Sequence, residues 1–170
     1  MPEHSPERTG LADATCAPAA FYRPSAYALE DSVGYLMKQI MVSFVAQADK
    51  QLGAHGLTHA QWTPLMRLRL GDSTVADMAR WLHIDAGATT RLIDRLEKKG
   101  LCRRSRSTND RRVVHVAITP EGLAATAHAP AVLSDILNAH LAGFSEAEWK
   151  QLIVLLRRMR DNGDAMRVSA

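Results

Sequence analysis

The sequence predicts a mainly α chain with one small β-hairpin, an α+β fold class. Three observations carry that reading. Ala, Leu, Arg and Val dominate, and only 5% of the 170 residues are aromatic. Apolar residues recur at helical spacing through most of the chain. One segment alone alternates, on both sides of the turn-forming group Thr108-Asn109-Asp110. The apolar fraction of 46% is that of a globular chain able to bury a core.

Each element has a local cause. Residues 1–25 hold Pro2, Pro6, Pro18 and Pro24 with small residues and no periodicity, which reads as a mobile tail. A long helix is expected from about Tyr27 to Gly53, with Val33, Leu36, Met37, Ile40, Met41, Phe44, Val45 and Ala48 in one continuous stripe. In LTHAQW, Thr58 caps a helix and Gln61 answers three residues later, with Leu57 and Trp62 at the staple positions. That helix is expected over residues 58–70, bent at Pro64, and stopped by Gly71-Asp72. Thr74 with Asp77 opens a short helix, VADMARWL. Asp85 caps the next, which runs to Lys99 and ends at Gly100. LCRRSRS and RRVVHVAIT form the hairpin. Thr119-Pro120-Glu121 then opens one helix ending near Gly143. FSEAEW repeats the capping-box logic through Ser145 and Glu148, and the last helix carries Trp149, Leu152, Ile153, Leu155, Leu156 and Met159 on one face.

Charge is distributed unevenly over this frame. Gly87 to Arg112 carries nine Lys or Arg against three acids, a net +6, whereas the whole chain is only +3, which leaves −3 for everything else. A field of that sign suits a polyanion, because every phosphate neutralised releases condensed counterions. The bland alternative is a solvated charged face. The order of elements favours the first reading. A short helix (75–82), a brief turn and a second helix (86–99) have helix-turn-helix spacing, with Val75, Ala79, Leu82, Leu92 and Leu96 packing the pair. An Arg-rich hairpin follows at once, as a wing would. Ala88, Thr89, Arg91, Asp94, Arg95 and Lys98 are then read as outward on the second helix, with Thr90 near the boundary. Small and hydroxyl residues allow close approach to a groove, and Arg91 and Arg95, four apart, reach bases or backbone. Thr74, Arg104 and Arg106 join the candidate DNA contacts, and Arg111 or Arg112 can enter a minor groove.

These residues resemble the MarR family of winged helix-turn-helix transcription regulators. The likeness covers roughly Asp31 to Arg160. Its specific parts are LTHAQW, VADMARWLHI, ATTRLIDRLEKKGLCRR and the string STNDRRVVHVAITPEG, with Asp110, Arg111 and Arg112 as the wing's Asp-Arg-Arg and Ile118 to Gly122 as the family's Leu-Thr-x-x-Gly. The resemblance implies a homodimer knitted by residues 26–57 and 120–166, a DNA-binding lobe over 58–119, a palindromic double-stranded operator, and repression relieved by a small ligand. Asp110 is expected to hold an Arg in a bidentate pair, with Arg112 the first choice for that pair and Arg111 for the groove, although the two can exchange roles. The family commonly has Gly in the bend where this chain has His83, a residue that adopts left-handed backbone more readily than most but less readily than Gly.

The same resemblance implies an aromatic or heteroaromatic carboxylate as effector, controlling catabolic or stress genes, with Tyr35, Lys38, His59, Trp62 and Met66 as candidate ligand contacts. Residue by residue a plainer account stands beside each: Trp62 is a staple, Met66 core, Lys38 a solvated charge. His55 and His59 do not make a metal pair, because Gly56 and the cap at Thr58 break the helix between them. No metal and no cofactor is expected. The two cysteines, Cys16 and Cys102, lie far apart; a redox-responsive regulator acting through either is an alternative, as is a winged helix that docks an acidic protein. No phosphate-cradling loop or nucleophile motif is present, so an enzyme is not expected. No apolar run reaches the length that spans a bilayer, and MPEHSPERTG lacks the apolar core of a secretory signal, so the expected location is the cytoplasm, with no membrane partner.

Overall fold

The computed structural model describes residues 18–106 and 113–168. The chain divides between Lys38 and Gln39 into two compact units. In the first, a 3-10 turn at Pro24–Ala26 leads to the start of helix α1 (Val33–Gly53). Ser32 caps that start by accepting the Tyr35 N–H at 3.2 Å, and the Val33 N–H donates to the Tyr22 hydroxyl at 2.9 Å. The helix therefore begins six residues later than the apolar spacing suggested. A serine able to accept the orphan N–H groups sets the boundary, and the apolar stripe does not.

The second unit holds the remainder of α1 and, in order, α2 (His59–Arg69), β1 (Ser73–Thr74), α3 (Val75–Leu82), α4 (Ala86–Lys98), β2 (Cys102–Arg106), β3 (Val114–Ile118), α5 (Pro120–Ala125), α6 (Ala129–His140) and α7 (Glu146–Val168). The three strands form an antiparallel sheet in the order β1-β3-β2, with Cys102 opposite Ile118 and Arg106 opposite Val114. The hairpin is thus as expected, and a third strand joins it. Two residues show no alternation, so β1 leaves no trace in the sequence; it exists because β3 offers Ser73 and Thr74 a partner.

The local signals that were expected to start helices do so. Thr58 and Gln61 exchange both bonds of a capping box, and Asp85 Oδ1 accepts the Ala88 N–H at 2.7 Å. Thr74 accepts the Asp77 N–H at 3.0 Å, and Ser145 and Glu148 bond reciprocally. Pro64 is fully buried, and α2 continues through it. The single helix expected from Pro120 to Gly143 is two. A tight turn at residues 126–128 separates them, closed by Ala127 N–H to Ala124 O at 3.1 Å and Ala129 N–H to Thr126 O at 3.3 Å. Pro130 then starts α6 at one of the first helical positions, where its missing N–H costs nothing.

The core gathers from nearly every element of this unit: Ala48 and Leu52 of α1, Leu57, Leu65 and Leu68, Met78, Ile93 and Leu96, Leu101 and Cys102, Val116, and Ala129, Leu133 and Ile136 of α6. It supports the sheet and fixes α3 against α4.

Candidate nucleic-acid interface

Helix α3 ends in a left-handed residue. His83 has φ 55° and ψ 38°, and its N–H reaches the Ala79 and Arg80 carbonyls. The bend between the two helices therefore keeps the geometry that a glycine would give it, at the modest cost His carries in that region. Asp77, hydrogen-bonded by the Thr74 hydroxyl, and Asp85, held by the Ala88 N–H, both titrate below the usual carboxylate range. Each sits at a helix N-terminus, where a negative charge is favourable.

On α4 the buried residues are Thr89, Leu92, Ile93 and Leu96, which is the i, i+3, i+4, i+7 stripe of a core-facing helix. Thr89 was expected outward. It is fully buried instead, and its hydroxyl donates to the Asp85 carbonyl at 2.9 Å. The periodicity decides this: Thr89 precedes Leu92 and Leu96 by three and seven positions, so it falls on their face. Thr90 takes the outward place, with its hydroxyl donating back to Ala86 at 2.8 Å. The exposed face then reads Gly87, Thr90, Arg91, Asp94, Arg95 and Lys98, with Ala88 half-buried. Among the described residues, Arg95 and Lys98 have no ion-pair partner.

Two cations of the basic segment are otherwise engaged. Lys99 Nζ donates to the Gly56 carbonyl and to Gln61 Oε1, both at 2.9 Å, tying the end of α4 to the start of α2. Arg104, a candidate DNA contact in the sequence, is ion-paired to Asp94 at 2.6 Å and Glu97 at 2.8 Å. Burial opposes its charge, but the hydrogen bonds and charges of these two carboxylates outweigh it and raise its pKa above the ordinary value. Arg106 is exposed on the same strand. Thr74 spends its hydroxyl on Asp77, 2.7 Å away. Asp110, Arg111 and Arg112 lie outside the described residues, as does Cys16.

Sequence reasoning missed what Gly122 does. A Cβ there would stand 2.0 Å from the Leu101 carbonyl oxygen, so α5 can approach the start of β2 only at a glycine. Thr119 makes the matching bond, donating its hydroxyl to the Gly100 carbonyl at 2.6 Å. The signal was present in Thr-Pro-Glu-Gly, but as a string without a stated contact.

Residues 57–114 match the family described as the MarR family. Solved structures resemble the chain well beyond that segment. A probable transcriptional regulator from Pseudomonas aeruginosa is 31% identical, with a TM-score of 0.69 over 78% of this chain and 99% of that one. The chain belongs to the MarR family. Bordetella bronchiseptica BpsR, whose DNA binding is regulated by 6-hydroxynicotinic acid, is 29% identical to this MarR-family protein, with a TM-score of 0.73 over 80% of this chain and 98% of that one. A mutant MarR from E. coli complexed with operator DNA is 26% identical, with a TM-score of 0.70 over 74% of this chain and 91% of that one. The protein is a DNA-binding transcription regulator of this family, with a winged-helix fold. Among the described residues no helix is long and apolar enough to cross a membrane, and no group of three or more His, Cys, Asp or Glu is placed to hold a metal ion.

The candidate effector residues divide between the units. Tyr35 and Lys38 belong to the first; His59, Trp62 and Met66 to the second. Within the second, the His59 ring stands edge-on to Phe44 at 5.4 Å and lies 6.3 Å from Trp62. His140 joins the group 6.4 Å from Phe44 and 3.1 Å from the Ser43 hydroxyl. Among the described residues, the buried Trp62 indole N–H has no hydrogen-bond partner. Cys102, the redox alternative, is buried, and burial followed by the charge of Glu97 pushes its thiol up to about 11. A thiol held protonated is a poor sensor of oxidants, because the thiolate is the reactive form.

Proposed function

We propose that this MarR-family protein acts as a homodimeric repressor on a palindromic operator, and that an aromatic or heteroaromatic carboxylate releases it to switch on catabolic or stress genes. The exposed cationic face of α4 carries the reading: Thr90, Arg91, Arg95 and Lys98, with Ala88 beside them, are presented on a helix whose other face is locked into the core. Each copy offers this face to one major groove, two grooves lying about one helical turn apart. Arg106 and the wing residues Asp110, Arg111 and Arg112 add backbone and minor-groove contacts. A mobility-shift assay against genomic fragments tests the DNA reading. Affinity is expected to fall steeply with salt, and Arg91→Ala to cost about 1–3 kcal/mol and to change base preference. Salt-insensitive binding, or none, overturns it.

The effector reading is supported by the regulation of BpsR by 6-hydroxynicotinic acid and by the buried Trp62 N–H, which no described residue accepts. An indole donor beside His59, whose ring in turn meets Phe44, suits a planar ligand that carries acceptors. Trp62 fluorescence, measured in a Trp81→Phe/Trp149→Phe background, is expected to respond to small aromatic acids. His59→Ala and Met66→Ala are expected to weaken that response, and Tyr35→Phe and Lys38→Met are tested separately. A flat titration across the series removes the ligand.

A further inference from the structure

Among the described residues of the basic segment, no side chain makes more polar contacts than that of Arg104. Its backbone N–H donates to Glu97 Oε1 at 2.9 Å and its Nη1 to Glu97 Oε2 at 2.8 Å. Nη1 also lies 2.6 Å from Asp94 Oδ1, and Nη2 donates to the Thr90 carbonyl at 3.3 Å. Thr90, Asp94 and Glu97 are spaced by four and three residues, so one guanidinium spans two turns of α4. The Arg104 side chain is 24% exposed, whereas that of Asp94 is 55% exposed. The carboxylate, and not the cation, is the more open of the two.

That arrangement answers a problem that composition alone hides. Asp94 shares the outward face of α4 with Arg91, Arg95 and Lys98. An uncompensated carboxylate there would repel the phosphates that the face is built to meet. We propose that Arg104 is a positioning residue: it pins the first wing strand to the reading helix and offsets part of the negative charge of Asp94 and Glu97, and it does not itself bind phosphate. Its forked donors reach two carboxylates and a carbonyl at once, which a single ammonium cannot do, so lysine is no substitute. The inference rests on the DNA-binding reading of α4 for its consequence, while the brace itself belongs to the protein without DNA.

The test therefore has two arms. In the free protein the Arg104 amide proton, bonded to Glu97, is expected to exchange slowly, and Glu97→Ala or Arg104→Gln to speed that exchange about tenfold or more. Unchanged exchange overturns the brace whatever happens with DNA. In the second arm, Arg104→Gln is expected to weaken binding to duplex fragments about tenfold irrespective of their sequence, and Arg104→Lys to recover only part of that loss. The triple variant Arg104→Gln/Asp94→Asn/Glu97→Gln leaves no charge unpaired, so it carries the test even if the single variant folds poorly. It lacks the brace but also the uncompensated carboxylates, so it is expected to recover part of the loss seen in Arg104→Gln, with an unchanged slope of log affinity against log salt. A triple variant as weak as the single one, with a slope reduced by about one, would make Arg104 a phosphate ligand and overturn the proposal.

Discussion

Helices α4 and α7 look alike in the sequence and meet different fates in the fold. Each carries an apolar stripe at helical spacing and an opposite charged face. Yet α4 buries Thr89, Leu92, Ile93 and Leu96, whereas no residue of α7 is buried among those described. Trp149, Leu155 and Met159 stand 42–47% exposed on α7, and Ile40 and Met41 of α1 are exposed to a similar degree. The lesson is that amphipathicity specifies a face to be covered but not by whom. The stripe of α4 is covered within the chain, by a core to which α1 and α6 also contribute. The stripes of α1 and α7 stand exposed among the described residues, and a second copy covers them in the homodimer we propose, since large apolar side chains left exposed in this way mark an interface.

Three perturbations test that contrast. The largest effect is expected where the chain covers its own apolar faces. Gly122→Ala forces a methyl against the Leu101 carbonyl, a contact that only backbone movement can relieve. A loss of about 3 kcal/mol is expected, at the upper end for overpacking, seen as a fall in Tm of roughly 10 °C for a chain of this size. A Tm within a degree of wild type would show that α5 is free to move.

At the uncovered helices the effect should appear in assembly first. Leu155→Glu, or Met159→Glu, places a charge on a half-exposed stripe. Sedimentation is expected to shift from dimer to monomer, and the folded lobe to persist. A variant that stays dimeric breaks the contrast, because the stripe would then be ordinary surface.

The smallest effect is a silence. In a Cys16→Ser background, Cys102 is expected to resist alkylation of the native protein through pH 8–9, with the rate rising only toward the value of about 11 to which burial and Glu97 push it. The sign follows from the charged form: a thiol raised in pKa carries less thiolate at every pH below it. Reaction at an ordinary thiol pH would mean that the core around β2 opens, and would restore the redox reading.

Much of the fold was legible because its signals are local. Thr58 with Gln61, Thr74 with Asp77, Asp85, and Ser145 with Glu148 lie three residues apart or cap the next turn, and such bonds need only one turn of chain to form. The hairpin was legible from its alternation. The break between α5 and α6 was written in Pro130, yet the apolar spacing runs across it and hid it. Thr89 and Thr90 show the same limit on one turn: both suit a groove by chemistry, and only the phase of Leu92, Ile93 and Leu96 separates them.

The sequence by itself determined where α2, α3, α4, α5 and α7 start, which segment alternates, and where the positive charge collects. Each of these depends on residues within a few positions of one another, so the chain carries the information in short range. Only the tertiary structure decided that Arg104 serves Asp94 and Glu97, that Lys99 ties to Gly56 and Gln61, and that Gly122 lies against Leu101. Those contacts join residues that the fold brings together from different elements. The physical reason is that an ionised side chain goes to whatever opposite charge or carbonyl the packed backbone brings within about 3 Å, and its neighbours in sequence do not fix which one that is.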